Sequence, residues 1–482
     1  MAWLLKLNDG TESVDFLGAT YRLANGGLNI ELPKPKEVWG GDSIYAHGSQ
    51  LMMQTYDNAK AILTFSIHAN TRDNLLASVT KINRIIEKAK LRSIQESGAR
   101  VELQYAWEGA STVTYYEVIS GSLRWADDIM SVEQVHQKDE KGNWVIWDFE
   151  LELIIYPFAF PISPVNGSVS LVNIYNSVSP TPATTKLVGN RQETGTDNWI
   201  EVSGASIAGS HPAIANLSML SESGLGEGTS KIYVGCHVGG SVRTMLDDFD
   251  CSFRIGSAIS LDDTNSNKDK YSPLVFTSTT EVALAKWTLS AAEVQAMNGP
   301  FRFFGRTKDL SYWDTNANYA IAISYNGTRL YRTDWMSPIE TTMTLLDFGT
   351  IFMPPWTGTI TNATGLTVEL LGFRKTAGST TINLDYVFMM PQDGGYRVYE
   401  MRGTHMLEDE LIVDDGWNRV VYHQTVAGNR TGLAFALMQP FSLRPAQNHR
   451  FYFLMEGSSR SSEISRSLTV SLGLVPSNLV MA

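Results

Sequence analysis

Acidic side chains gather at three places: Asp247-Asp248 with Asp250, Glu408-Asp409-Glu410, and Asp414-Asp415. Two carboxyls roughly 5 to 10 Å apart could supply the acid and base of a glycosidase. Neighbours in a strand point to opposite faces, however, so solvated charge in turns is the expectation for all three groups. Another run, Asp263-Thr264-Asn265-Ser266-Asn267-Lys268-Asp269, sets oxygen-bearing side chains at alternate positions, as a calcium loop does. Lys268 stands at the EF-hand glycine position and Leu274 where a bidentate Glu belongs, so ion-free Asx turns fit the run better.

The eight histidines, His47, His68, His136, His211, His237, His405, His423 and His449, contain no His-x-x-x-His pair, which removes a zincin helix. Gly204-Ala205-Ser206-Ile207-Ala208 fails as a nucleophile elbow at its last position, and no Walker A or Gly-x-Gly-x-x-Gly loop follows a strand. The expectation is therefore a non-enzyme with no catalytic, cofactor or metal residues. Trp199, Trp287, Tyr312, Trp313, Trp335 and Trp356 could stack on sugar rings, and Tyr312-Trp313-Asp314 sits in the most polar setting. Large aromatic side chains mostly fill cores, so that reading is preferred and the ligand is unknown. Cys236 and Cys251 are expected as reduced, buried thiols rather than a disulfide framework.

The elements that must position any site read as strands with one helix among them. Leu63, Phe65 and Ile67 alternate with Thr64, Ser66 and His68, the two-residue period of a half-buried strand. From Arg72 to Arg92 the period becomes helical, with Leu75, Leu76, Val79, Ile82, Ile85, Ile86 and Ala89 on one stripe and Asn70 or Thr71 as N-cap. Lys81, Arg84, Lys88 and Arg92 form a separate basic stripe, expected to be solvated or to meet an acidic neighbour. Val101, Leu103, Tyr105 and Trp107, and then Trp147, Phe149, Leu151, Leu153 and Ile155, mark further strands.

These segments carry a resemblance. LNDGTESVDFLGATYRLANGGLNIELP, YDNAKAILTFSIHANTRDNLLASVTKINRIIEKAK and ELELIIYPFAF resemble the N-terminal part of the distal tail proteins of long-tailed bacteriophages. The resemblance implies a tube-like β-barrel with a flanking helix, copies of which form a six-fold ring that continues the tail tube and anchors the tail tip. Farther on, HPAIANLSM with KIYVG, LLDFGTIFMPP and INLDYVFMMPQDGG resemble a jelly-roll module, galectin-like or carbohydrate-binding-like, of related tail proteins. LRPAQNHRFYFL resembles a Pro-Gly-x-Asn element of the same proteins, with Ala446 where Gly is usual. The implied partners are a tail tube protein, tail-tip or fibre proteins and further copies of the chain. In the alternative, a receptor-binding role, the jelly roll binds a host surface glycan.

Composition agrees. At 482 residues the chain suits about three domains on a prior of roughly 150 residues each. Its net charge of −12 opposes non-specific nucleic-acid binding, which draws on cations. No apolar run reaches membrane-spanning length, and MAWLLKL is too short for a signal peptide, so an unexported, soluble chain is expected. Sequons at Asn166, Asn216, Asn326, Asn362 and Asn429 are then chance matches. PISPVNGSVS after Phe160 marks a boundary, and Asn326-Gly327 is the strongest hairpin signal. The reading is a mainly β chain in three parts: a ring-forming barrel or sandwich with one helix (1–162), an antiparallel jelly-roll sandwich (163–403) and a β-rich C-terminal segment (404–482). Its expected place is the virion tail tip, reached by assembly in the host cytoplasm.

Overall fold

The computed structural model describes residues 2–31, 33–39, 51–94, 99–126, 137–169, 172–173, 186–188, 198–222, 228–257, 259–297, 299–308, 311–341, 343–353, 365–401, 405–433, 441–457 and 467–478. The fold is mainly β, built from antiparallel sheets. The chain divides into two compact units: Met1–Val169 with Ala208–Pro212 and Val475–Ala482, and Ser170–Ile207 with Ala213–Leu474.

In the first unit the strands are β1 (Leu4–Asn8), β2 (Ser13–Asp15), β3 (Tyr21–Ile30), β4 (Pro35–Trp39), β5 (Leu51–Tyr56) and β6 (Ala59–Ala69), then β7 (Val101–Ala106), β8 (Thr114–Val118), β9 (Arg124–Trp125) and β10 (Trp144–Ile155). They form one sheet in the order β2-β1-β7-β8-β10-β6-β3, with β9 against β10 and a separate β4–β5 ribbon. Helix α1 runs Arg72–Ile94 and is capped by Thr71, whose hydroxyl accepts the Asn74 N–H at 3.1 Å. Leu75, Val79, Ile82, Ile85 and Ala89 are buried in the same core as Leu63, Phe65, Ile67, Leu151 and Leu153. Leu76, expected on that stripe, is exposed instead, because it falls at the stripe's solvent edge.

The expected alternation of β10 also breaks. The β10–β6 ladder slips between Ile146 and Phe149, and Asp148 takes a positive φ of 58°. The bulge turns Trp147 outward, 45 % exposed, while Val145 and Ile146 are both buried.

The second unit nests one sandwich inside another. An inner host sheet has the order Trp199–Val202, His449–Gly457, Thr229–Val238, Gly395–Glu400. An outer host sheet places Ser467–Ser477, His211–Glu222, Leu411–Asp415 and Val420–Gln424 side by side. Between Val238 and Gly395 the chain builds two further sheets, one around Thr380–Pro391 and Gly299–Thr307, the other around Leu366–Arg374 and Ala317–Tyr325. The inner host sheet is buried on both faces. Ile232, Val234, Phe451 and Phe453 join the host core, whereas Tyr233, Tyr452 and Leu454 join the core of the inserted sheets. Tyr233 meets Phe304 at 4.8 Å between ring centroids, and Tyr452 meets Phe388 at 6.3 Å. Strands of the expected 404–482 segment therefore lie in ladders with strands from 199–238, and a division at 403 would run through both host sheets.

Local turn chemistry follows sequence closely. Asn326-Gly327 closes a two-residue hairpin, Tyr325 opposite Thr328, with φ of 48° and 78°, the signature of a type I′ turn. Ala446 keeps a left-handed φ of 60° although it is not glycine. The turn is held by Asn448, whose side-chain oxygen accepts the Gly204 N–H at 3.0 Å, and by Ala446 N–H donating to the Gly204 carbonyl at 3.2 Å. A side chain at 204 would strike the backbone of Gln447, so glycine is required there.

Candidate functional site

Strand periodicity gives the N-terminal sheet two unlike faces. One, lined by Leu5, Leu7, Leu63, Phe65, Leu103 and Leu153, packs under α1. The registers place Lys6, Gln104, Tyr115, Glu150, Glu152, Lys60 and Thr64 on the other. Its charges are largely matched within the chain: Lys6–Asp15 at 3.3 Å, Lys60–Glu152 at 2.6 Å, Arg124–Glu152 at 2.8 Å and Arg100–Glu117 at 3.0 Å. Hydrogen bonds from Lys60 and Arg124 hold the Glu152 carboxyl below the ordinary glutamate range.

Glu102, on the same face, is fully buried. It accepts hydrogen bonds from Asn8 Nδ2 at 2.8 Å, Gln104 Nε2 at 2.6 Å, Ser163 Oγ at 2.5 Å and Val165 N at 3.3 Å. The carboxylate thereby pins the chain leaving this unit onto β7. Its local sequence supplies only Gln104; the remaining partners come from 94 residues upstream and from 61 and 63 residues downstream.

The basic stripe meets acids of its own chain. Arg84 pairs with Glu12 at 2.7 Å and Lys88 with the buried Asp9 at 2.8 Å. Burial alone would raise the Asp9 carboxyl, but the Lys88 ammonium and the N–H groups of Glu12 and Thr11 outweigh it and leave its pKa lowered. The Asp9-Gly10 turn was the available signal: an Asx turn that also presents a carboxylate to the helix.

The other candidates do not converge on chemistry. In the 263–269 run Asp263 accepts the Ser266 hydroxyl at 2.9 Å and Lys268 pairs with Asp247 at 2.9 Å. Asn267 turns away, donating its side-chain amide to Asp247 and its backbone N–H to Asp385 at 2.8 Å. Among the described residues no three His, Cys, Asp or Glu side chains gather as a metal-binding group.

Solvation does not describe half of the clustered acids. Asp247, Asp248, Glu410 and Asp414 are buried, whereas Glu408 and Asp409 are exposed. Asp248 accepts the Ser272 hydroxyl at 2.9 Å, Glu410 meets His423 at 2.9 Å, and Asp414 binds Arg397 and the Tyr399 hydroxyl. Distant partners make burial tolerable, and spacing along the chain cannot announce them. Asp385 likewise pairs with Arg306, both fully buried; burial pushes its carboxyl up to about 7 against the pull of Arg306.

Trp287 and Trp313 are core residues, donating their indole N–H to the carbonyls of Asp247 at 2.7 Å and Thr344 at 3.1 Å. The preferred core reading thus holds for Trp313, which lies edge-on to Tyr319 and Phe348, while the neighbouring Tyr312 is half-buried. Trp199 is buried under Arg450, and the half-buried Trp335 is covered by Arg332 at 4.7 Å. Trp356, His47 and His136 lie outside the described residues. Cys236 and Cys251 are free thiols; burial raises both, Cys251 to about 12.

No family model matches the chain and no curated protein matches it. Among solved structures it is similar to the SPP1 Dit (gp 19.1) protein, described as a paradigm of the hub adsorption apparatus in Gram-positive infecting phages. That similarity has 6 % identity and a TM-score of 0.29 and covers 99 % of each chain. It is also similar to the phage p2 baseplate in its activated conformation with Sr, at 9 % identity, TM-score 0.26 and 98 % of each chain. The corresponding structure with Ca gives 10 % identity, TM-score 0.26, and 99 % and 98 % of the two chains. Scores this low carry no weight for the assignment of a function.

Proposed function

We propose that the chain is a structural protein of a bacteriophage tail tip, a distal tail protein whose copies close into a ring. The ring, six-fold by the resemblance of residues 1–160, would join the tail tube to tip and fibre proteins and leave a channel for DNA. The observation that supports this reading best is the two-faced N-terminal sheet. A hydrophilic face next to a helix-covered one suits a water-filled bore. Because Lys6, Lys60, Arg100 and Arg124 are already paired with carboxylates, that face offers little unmatched positive charge to hold phosphates. In this reading residues 1–162 build the ring, and the jelly-roll module, which the resemblance places within 163–403, meets fibres or the cell surface. The protein acts by assembly rather than by bond chemistry, in the tail of the virion.

Mass measurement and imaging of the full chain at roughly tens of micromolar test the reading, since interfaces of ring-forming copies are concentration-dependent. A ring with a central hole, of a mass that is a whole multiple of the chain, is the expected result. A monomer across the whole concentration range would overturn it.

A further inference from the structure

The N-terminal unit carries a polar cleft of about 650 Å³ between the first half of α1 and the β3 and β6 strands. Its lining includes Arg22, Lys81, Arg84, Asn70, Asn74 and Asn143, and no Asp or Glu. Behind the lining, the Asp139 carboxylate lies 3.5 Å from His68 Nδ1. Arg84 is committed to Glu12. Among the described residues the Lys81 ammonium makes no ion pair or hydrogen bond, and the Arg22 guanidinium donates only its Nε–H, to the Ala19 carbonyl at 3.2 Å. His68, on the floor, adds no charge at neutral pH: burial and the nearby Arg22 push its pKa down, against the pull of Asp139. Two cations without counter-ions therefore face an opening large enough for several side chains of a peptide.

We propose that this cleft is a socket for an exposed, carboxylate-bearing segment of a second copy of the chain, held by Lys81 and Arg22. The proposal rests on the ring reading and names the side that receives in its head-to-tail contact. Charge complementarity argues for a copy. Like-charged chains repel as they approach, and a positive socket meeting an acidic segment removes that penalty while fixing the register. A nucleic-acid strand needs a continuous basic track, whereas the helix surface beyond the cleft carries the exposed Asp73 and Glu87.

The test mixes isotopically labelled and unlabelled full-length chains, joins amines to carboxylates with a carbodiimide, and identifies the joined peptides by mass. In parallel, Arg22→Glu with Lys81→Glu is compared with the wild-type chain for assembly in low salt, with circular dichroism to confirm that the surface variant is folded. The proposal expects a link between Lys81 of one copy and an Asp or Glu of another, and a rise of about tenfold or more in the concentration needed for half-assembly. Should the reversed variant fail to fold, the link at wild-type Lys81 decides alone. Rings that form without any Lys81 link between copies, or that the charge reversal leaves unchanged, overturn the socket and leave the ring reading standing. Chains that stay monomeric and unlinked overturn both.

Discussion

Single residues show where sequence speaks and where it is silent. Asn326-Gly327 was legible because its φ preferences are intrinsic, whereas the burial of Asp414 was not, because Arg397 and Tyr399 supply the reason from elsewhere. Ala446 falls between the two: the resemblance pointed to a glycine turn, and the backbone keeps it at a left-handed φ of 60°. Since that conformation strains an alanine, Ala446→Gly should stabilise the protein by about 1 kcal/mol, read as a higher urea midpoint at an unchanged slope. A lower midpoint would mean that the methyl group packs usefully. Three residues on, His449 is fully buried and its Nε2 accepts the Arg444 N–H at 3.0 Å. Burial, reinforced by Arg444, pushes its pKa down to about 4 from an ordinary 6.5. The unfolded chain therefore takes up a proton first as pH falls. The associated stability is complete above about 6.5 and drains away toward 4, on the order of 3 kcal/mol in all. Urea unfolding at several pH values should show this slope reduced in His449→Gln, with His68, His211 and the carboxylates of Asp9 and Glu152 acting in the same direction; equal slopes would remove His449 as the source.

At the scale of elements, α1 and the strand period of β6 were readable because each has one buried face. The bulge in β10 was not, since a slip of register leaves the residue types unchanged and alters only which of them face inward. Nor did the polar sheet face stand out as a site, because every half-buried strand carries one. Ile82 lies at the centre of the helix stripe and is fully buried. Ile82→Asp should cost about 4 kcal/mol or more and unfold the N-terminal unit. A circular-dichroism melt of the full chain is expected to start from a reduced signal and to lack the transition of the N-terminal unit, and a curve superimposable on wild type would place the helix outside the core.

For the whole molecule, the mainly β character was plain, while the nesting was hidden because both faces of the inner host sheet are apolar. Phe451, Phe453 and Met455 read as one face of a half-buried strand, yet Tyr452 and Leu454 between them are buried as well. Composition along the chain does not reveal that a strand near residue 200 awaits its partner near 450. A chain ending at residue 403 would lose the neighbour that covers one side of Thr229–Val238 and all of Leu411–Gln424. It should therefore aggregate or elute as an expanded species in gel filtration; a compact, cooperatively melting fragment would refute the nested pairing.

That nesting also sets a timetable for synthesis. The inserted sheets have all their strands once Pro391 has emerged, but Thr229–Val238 cannot pair with His449–Gly457 until the last of these is made. At roughly 5 to 20 residues per second, the interval is about 10 to 45 s, during which Ile232 and Val234 lack their final cover on the ribosome-bound chain. An insert that folds first covers Tyr233 but not Ile232 and Val234, which face the host core, so the strand stays half-covered until its late partner arrives.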